Sequence, residues 1–259
     1  MSSAGARRFA VISDIHANLE GLRAVLDAVG RAGVDRIICL GDIVGYGTDF
    51  DACIDLVRER CEVVLRGNHD EALINEPVDF NPVARDAILY TRSIMKPGLL
   101  GSSERRERWN YLRGLPESHR EGPYSFYHAS PREPLKEYVM RTDVAFARDK
   151  LREIFRLFEG VCFVGHTHQP GVMVEDPDFR FYEPTEGKNR FPLGRGKVLV
   201  NVGSVGQPRD GDNRACFVVV EGDEVVFHRV PYDYETTMKK IRSTRRLHES
   251  LALRLAAGK

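Results

Sequence analysis

Phe9-Ala10-Val11-Ile12-Ser13-Asp14-Ile15-His16 decides how the chain is read: four apolar residues, then an abrupt change to hydroxyl, carboxylate and imidazole. A run of this kind is a short buried strand that delivers polar groups at its end. Working outward, Leu22, Val25, Leu26 and Val29 have helical spacing, 36–40 is a second strand ending in Gly41-Asp42, 52–60 is a second helix, and 62–65 a third strand followed by Gly67-Asn68-His69-Asp70. Three strands and two helices alternate in about 60 residues, which predicts parallel strands with helices laid on the sheet. Each polar cluster falls where a parallel strand hands over to a loop, the edge at which open α/β sheets bind ligands.

Downstream the pattern changes. Pro77, Pro82, Pro97 and Pro116 punctuate helical pieces at 83–95 and 104–112, read as a helical insert or cap over 77–118. A helix is expected over 144–158. Strand-like runs at 124–128, 161–165, 171–174, 197–201, 216–220 and 225–230 suggest hairpins in a second sheet. The stretch 235–259 is read as one amphipathic C-terminal helix, with Met238, Ile241, Leu247, Leu251 and Leu255 on the face that packs on the body or on a second subunit. No composition break divides 1–259 into separate domains.

Lysine plus arginine number 38 and aspartate plus glutamate number 38, so the net charge is zero. That balance argues against a broad basic field for long nucleic acid or an anionic membrane. The start of the chain lacks the apolar run of a secretory signal, and the longest apolar runs are too short to span a bilayer. Five cysteines, an odd count without a CxxC pair, read as buried thiols in a reducing cytoplasm.

Of eight histidines, five (His16, His69, His128, His166 and His168) stand at strand ends. Mixed imidazole and carboxylate donors suit borderline divalent ions. Asp14 and His16 are two residues apart, as are His166 and His168, so either pair can converge on one ion. Taken singly the signals are weak: Asp14 reads equally as a turn cap and Asn68 as a plain turn residue.

Taken in order, Asp14/His16, Gly41-Asp42, Gly67-Asn68-His69-Asp70, His128 and Gly165-His166-Thr167-His168 form the pattern DxH, GD, GNH[DE], H, GHxH. This set resembles the calcineurin-like metallophosphoesterase superfamily. The glycine-rich segment 201–208 is similar to its bacterial phosphodiesterase-like branch, and that turn is expected to flank the metal rim. The resemblance implies an α/β fold, a four-layer α/β/β/α sandwich of two mixed sheets with a two-metal centre at one rim. It implies that Asp14, His16, Asp42 and His168 hold one metal, and Asp42, Asn68, His128 and His166 the other. The ions would be divalent, manganese foremost, with iron, zinc, nickel or cobalt as alternatives. The implied reaction is hydrolysis of a phosphomonoester or phosphodiester by in-line attack of a metal-bridging hydroxide, with His69 as general acid and Asp70 orienting it.

One departure from the family is visible. Phosphoprotein phosphatases continue the second block as GDxVDRG, whereas here Gly45-Tyr46 replaces the Asp-Arg pair. Tyr46 is a candidate contact to an organic leaving group, and Arg66 and Arg209 are candidate replacements for the missing phosphate clamp. The expected partner is a phosphorylated small molecule or nucleotide; a homo-oligomer is left open. A dinucleoside polyphosphate hydrolase, a phosphoprotein phosphatase and a non-catalytic metal- or nucleotide-binding regulator are the alternatives on the same site.

Overall fold

The computed structural model describes residues 8–34, 36–98, 101–175, 177–185, 187–194 and 196–259. Residues 1–7 of the N-terminal stretch, and 99–100 of the insert, lie outside the described residues. The chain runs β1 (Arg8–Ile12), α1 (Leu19–Arg31), β2 (Ile37–Cys39), α2 (Phe50–Arg60), β3 (Val63–Val64), α3 (Asn68–Ile74), α4 (Pro82–Met95), α5 (Ser103–Arg113), β4 (Ser118–Glu121) and β5 (Tyr124–Tyr127). It continues with α6 (Asp143–Phe146), α7 (Arg148–Phe155), β6 (Val161–Val164), β7 (Gly171–Val174), β8 (Arg180–Tyr182), β9 (Arg190–Pro192), β10 (Val198–Asn201), β11 (Ala215–Glu221), β12 (Glu224–Val230), α8 (Tyr234–Ser243) and α9 (Glu249–Ala257).

Two mixed six-stranded sheets form, in the orders β3-β2-β1-β11-β12-β9 and β4-β5-β6-β10-β7-β8. In the first, β1, β2 and β3 are parallel and β11 closes antiparallel on β1. In the second, β5, β6 and β10 are parallel.

Strand alternation explains the layering. In β1, Phe9 and Val11 face the second sheet while Ala10 and Ile12 face the helices; in β11, Cys216, Val218 and Val220 take the inner side and Phe217 and Val219 the outer. Likewise Val161 and Phe163 of β6 point inward, and Cys162 and Val164 point toward α7. Every strand buried on both faces must be apolar at successive positions, which is why these runs read as continuous rather than alternating. The inter-sheet layer is sealed by Phe9, Phe126 and Phe163, with ring centroids 5.2–6.1 Å apart. The result is the expected four-layer sandwich.

Three expectations change. The helix expected over 144–158 is two pieces, broken at Ala147. The single C-terminal helix over 235–259 is a hairpin of α8 and α9, turned through Arg245 at φ +52 and restarted by His248, which accepts from the Ser250 N–H. Its apolar face does pack on the body, where Ile241, Leu251 and Leu255 meet Tyr46, Ala84 and Ala87. The insert expected as a helical cap over 77–118 is split in role: among its described residues 78–81 and 84 line the cleft described next, while Met95, Leu112 and Leu115 lie in the core under the first sheet.

Candidate functional site

The polar clusters meet at one rim. The loops after β1 and β2 are zipped together, the Asp14 N–H bonding the Gly41 carbonyl and those of Ile15 and His16 bonding that of Asp42. The loop after β10 closes the other side, with the Val205 and Gly206 N–H groups on Ser13 and Asp14 carbonyls. The turn over 201–208 therefore does flank the rim. Gly67 is required by close approach: a β-carbon there would run into the Asp42 carboxylate. Gly41, at φ +105, faces the Gly67 backbone in the same way. Asp14, His16, Asp42, Tyr46, His166 and His168 all have φ between +52 and +63, a left-handed conformation in which Asp and His are several-fold enriched among non-glycine residues.

The donor atoms converge. Asp14 Oδ1 lies 3.2 Å from His168 Nε2 and 3.9 Å from His16 Nε2, and the two imidazole nitrogens are 3.1 Å apart. Asp42 Oδ2 is 3.7 Å from His16 Nε2 and 3.5 Å from His128 Nε2. His128 Nε2 is in turn 2.9 Å from Asn68 Oδ1 and 3.2 Å from His166 Nδ1. Two groups thus form, Asp14-His16-His168 and Asp42-His128-His166, and Asp42 reaches toward both. His69 also comes within reach of His16 and Asp42.

Each ring is oriented from behind by a backbone carbonyl: Val44 for His16, Leu40 for His128, Lys136 for His166 and Gln207 for His168. This is the arrangement that fixes the tautomer of a ligating imidazole.

The donor set fits divalent cations. Imidazole nitrogens face one another with no proton to share on both sides, and Asp14 Oδ1 is buried without a hydrogen-bond donor. A cation between them satisfies atoms that otherwise cost free energy to bury. Burial lowers the basicity of His128 to about 4 and of His166 to about 3, so both are neutral and able to ligate at pH 7. Burial pushes the Asp14 carboxyl up, but the imidazoles around it, His168 foremost, outweigh that and hold it low. Burial raises Asp42, and the neighbouring Asp14 and Asp70 carboxylates add to the rise.

A cleft of about 640 Å³ opens onto this rim, lined by Asp42, Asn68, His69, His166, His168, Tyr46 and Arg209. The Tyr46 ring lies 4.6 Å from that of His16 and 4.5 Å from that of His69. Arg209 is held over Tyr46, at 5.8 Å, and donates to Gln207 Oε1 at 2.7 Å. Burial, and then the Arg209 charge, keep His69 well below the usual histidine range.

Two expected site residues go elsewhere. Asp70 does not reach the His69 ring; its carboxylate accepts from the N–H groups of Ile43, Val44 and Gly67, clasping the second loop to the start of α3. Arg66 is turned away from the cleft, paired with Glu71 at 2.6 Å and bonded to the Leu115 carbonyl at 2.8 Å, so it ties α3 to the end of α5.

Three cleft residues carried no signal in the sequence: Phe80, Lys136 and Tyr138 arrive from loops far apart in the chain. Helix α3 itself was also unforeseen, although Asp70, three residues after Gly67, is the spacing of a helix cap.

A model of the calcineurin-like phosphoesterase superfamily domain matches residues 8–224. The chain is 36% identical over 259 residues to an uncharacterized protein of Methanocaldococcus jannaschii, covering 96% of this chain and 98% of that one. It is 39% identical to a metallophosphoesterase from Sphaerobacter thermophilus, whose crystal structure superposes with a TM-score of 0.82 and coverage of 98% and 100%. A hypothetical protein from Pyrococcus horikoshii, 18% identical, shares the fold at a TM-score of 0.74 over 97% of this chain and 98% of that one. With its two-sheet sandwich and its rim of aspartates and histidines, the chain belongs to the calcineurin-like phosphoesterase superfamily.

Proposed function

We propose that the protein is a metal-dependent hydrolase of a small phosphomonoester or phosphodiester, working with two divalent ions, manganese foremost. The observation that supports this reading is the pair of buried donor groups meeting at Asp42, at the floor of a cleft whose wall carries Arg209. Asp14, His16, Asp42 and His168 would hold one ion; Asp42, Asn68, His128 and His166 the other. Ions bound there supply a nucleophile from water at neutral pH and neutralise phosphate charge.

The chain's own residues do the rest. Arg209, braced by Gln207 and Tyr46, presents a fixed guanidinium to a phosphate oxygen, the role of the arginine in the Asp-Arg pair that this chain lacks. His69 stands in the cleft as proton donor to the leaving oxygen. Its depressed basicity is opposed when an anionic phosphate enters beside it, because a nearby negative charge favours the imidazolium. Asp70 acts indirectly, fixing the loop that carries Ile43 and Val44 against the start of α3. The cleft is sized for a small molecule. A cytoplasmic setting belongs to the same reading, motivated by five unpaired thiols, four of them buried; among the described residues no helix is long and apolar enough to cross a membrane.

Full-length protein loaded with manganese should release 4-nitrophenol from its phosphate mono- or diester. Asp42→Ala should cut kcat/KM by more than about a hundredfold, beyond the roughly 10–100-fold lost with outer partners of metal ligands, and chelation should abolish turnover. Undiminished hydrolysis after either treatment rejects the metal mechanism. A folded protein that binds two ions and turns over nothing on a broad phosphoester panel would instead be a regulator.

A further inference from the structure

We infer that the cleft contains a subsite for a planar aromatic ring, the aryl group or nucleobase of a phosphoester's leaving group, walled by Phe80 and Tyr138. The inference rests on the hydrolase reading and narrows its substrate class. Both rings line the cleft and both touch groups at its chemical floor. Tyr138 lies on His166, with centroids 4.1 Å apart and planes 31° from parallel; Phe80 meets His69 edge-on at 5.2 Å.

The two walls come from different parts of the fold. Phe80 belongs to the loop that leads into α4 and Tyr138 to the loop between β5 and α6, and the loops approach at an ion pair, Lys136 Nζ to Asp79 Oδ2 at 3.9 Å. With side chains 57% and 79% exposed, that pair contributes little and yields readily to an entering molecule.

The outer wall is mixed: Glu76, Asp79, Glu133 and Lys136 rim it, and between them runs an apolar strip that is partly exposed. Val78 is 57% exposed and Tyr138 51%, and Leu135, Ala72 and Ala84 lie beside them. Large apolar groups left in water next to a reactive floor gain free energy when a ring covers them. The cavity, about 640 Å³, is far larger than a phosphate needs and falls within the range of ordinary small-molecule sites. A flat ring is favoured over an alkyl chain because the walls are themselves aromatic, and offset or edge contacts between rings add to simple burial.

The test compares 4-nitrophenyl phosphate, a nucleoside 5′-monophosphate and glycerol 3-phosphate as substrates of manganese-loaded full-length protein. Wild type, Phe80→Ala, Tyr138→Ala and Tyr138→Phe are assayed with each. Variant-to-wild-type ratios cancel the intrinsic ease with which each leaving group departs. Each alanine variant should raise KM for a ring-bearing substrate about tenfold more than for glycerol 3-phosphate, in line with base–aromatic stacking. Tyr138→Phe, which keeps the ring, should restore most of the difference, and bound manganese should match wild type throughout. A larger effect on one ring substrate than the other identifies aryl group or nucleobase as the better fit.

Equal loss on all three substrates, or no loss, overturns the subsite. Calorimetric binding of the same three compounds needs no turnover. If nothing is hydrolysed but ring binding still falls in the alanine variants, the hydrolase reading fails and the subsite stands; binding indifferent to both rings overturns it.

Discussion

The cleft at the rim and the groove at the opposite end of β10 are unequal in the opposite sense to their chemistry. The groove, among Val172, Val174, Tyr182, Phe191 and Val198, encloses about 1000 Å³, against about 640 Å³ for the cleft. Yet its described charged groups are only Glu175, Lys197 and Asp223, with no histidine among them. The difference follows from strand direction. The ends of β1, β2, β6 and β10 that point to the rim carry the loops, whereas Val198, at the start of β10, and the 221–224 hairpin only close the sheets. Volume marks where chains fail to meet; convergent titratable groups mark where something was built.

The comparison breaks if the rim is inert, and the largest expected effect tests that. His69→Gln should lower kcat for an alkyl phosphate by about 10²–10⁴, the usual contribution of general acid catalysis. The loss should be clearly smaller for 4-nitrophenyl phosphate, whose leaving group needs no proton. Equal losses on both would assign His69 to binding rather than proton transfer.

Acid should find the rim before it finds the groove. His128 and His166 fall to about 4 and 3 in the fold, from an ordinary value near 6.5. Between those limits the unfolded chain takes up protons that the folded chain refuses, so stability declines as pH falls. His16, His69 and His168 are lowered as well, while Asp42 and Asp70, raised by burial, oppose the trend. Five imidazoles against two carboxyls give a net loss. The melting temperature of metal-free protein should therefore drop between pH 7 and pH 5; a flat profile would contradict the buried, neutral state of the cluster.

The smallest effect belongs to the groove. Phe191 is half-buried and meets Phe227 edge-on at 5.9 Å. Phe191→Ala should cost about 1–3 kcal/mol of stability, less than a fully buried phenylalanine, with KM and kcat within error of wild type. A change in kcat would couple the two ends of the sandwich.

Much of this was legible in the sequence because it is local. Strand runs such as Phe9 to Ile12 announce themselves by composition, and each is followed at once by its polar cluster. What was not legible depends on partners distant in the chain. Arg66 looks free until Glu71 and the Leu115 carbonyl are in place. Asp70 looks like a companion of its neighbour His69 until α3 turns it toward Ile43 and Val44. Phe80 and Tyr138, 58 positions apart in sequence, become parts of one cleft only because the loop before α4 and the loop after β5 meet at the rim. The break at Arg245 was missed because the apolar face of the tail continues through it, and helical periodicity does not register a turn that keeps the same side buried.

The left-handed backbone at Asp14, His16, Asp42, His166 and His168 has an evolutionary consequence. That conformation admits glycine, asparagine, aspartate and histidine cheaply and penalises β-branched residues. On the proposed metal-dependent reading, each of these five letters is chosen twice, once by the cation and once by the dihedral angle. A descendant that ceased to bind metal would still be confined by its loops to the same short alphabet. Drift at this rim should run through asparagine and glycine rather than valine or threonine, so the motif would fade slowly even after its chemistry had gone.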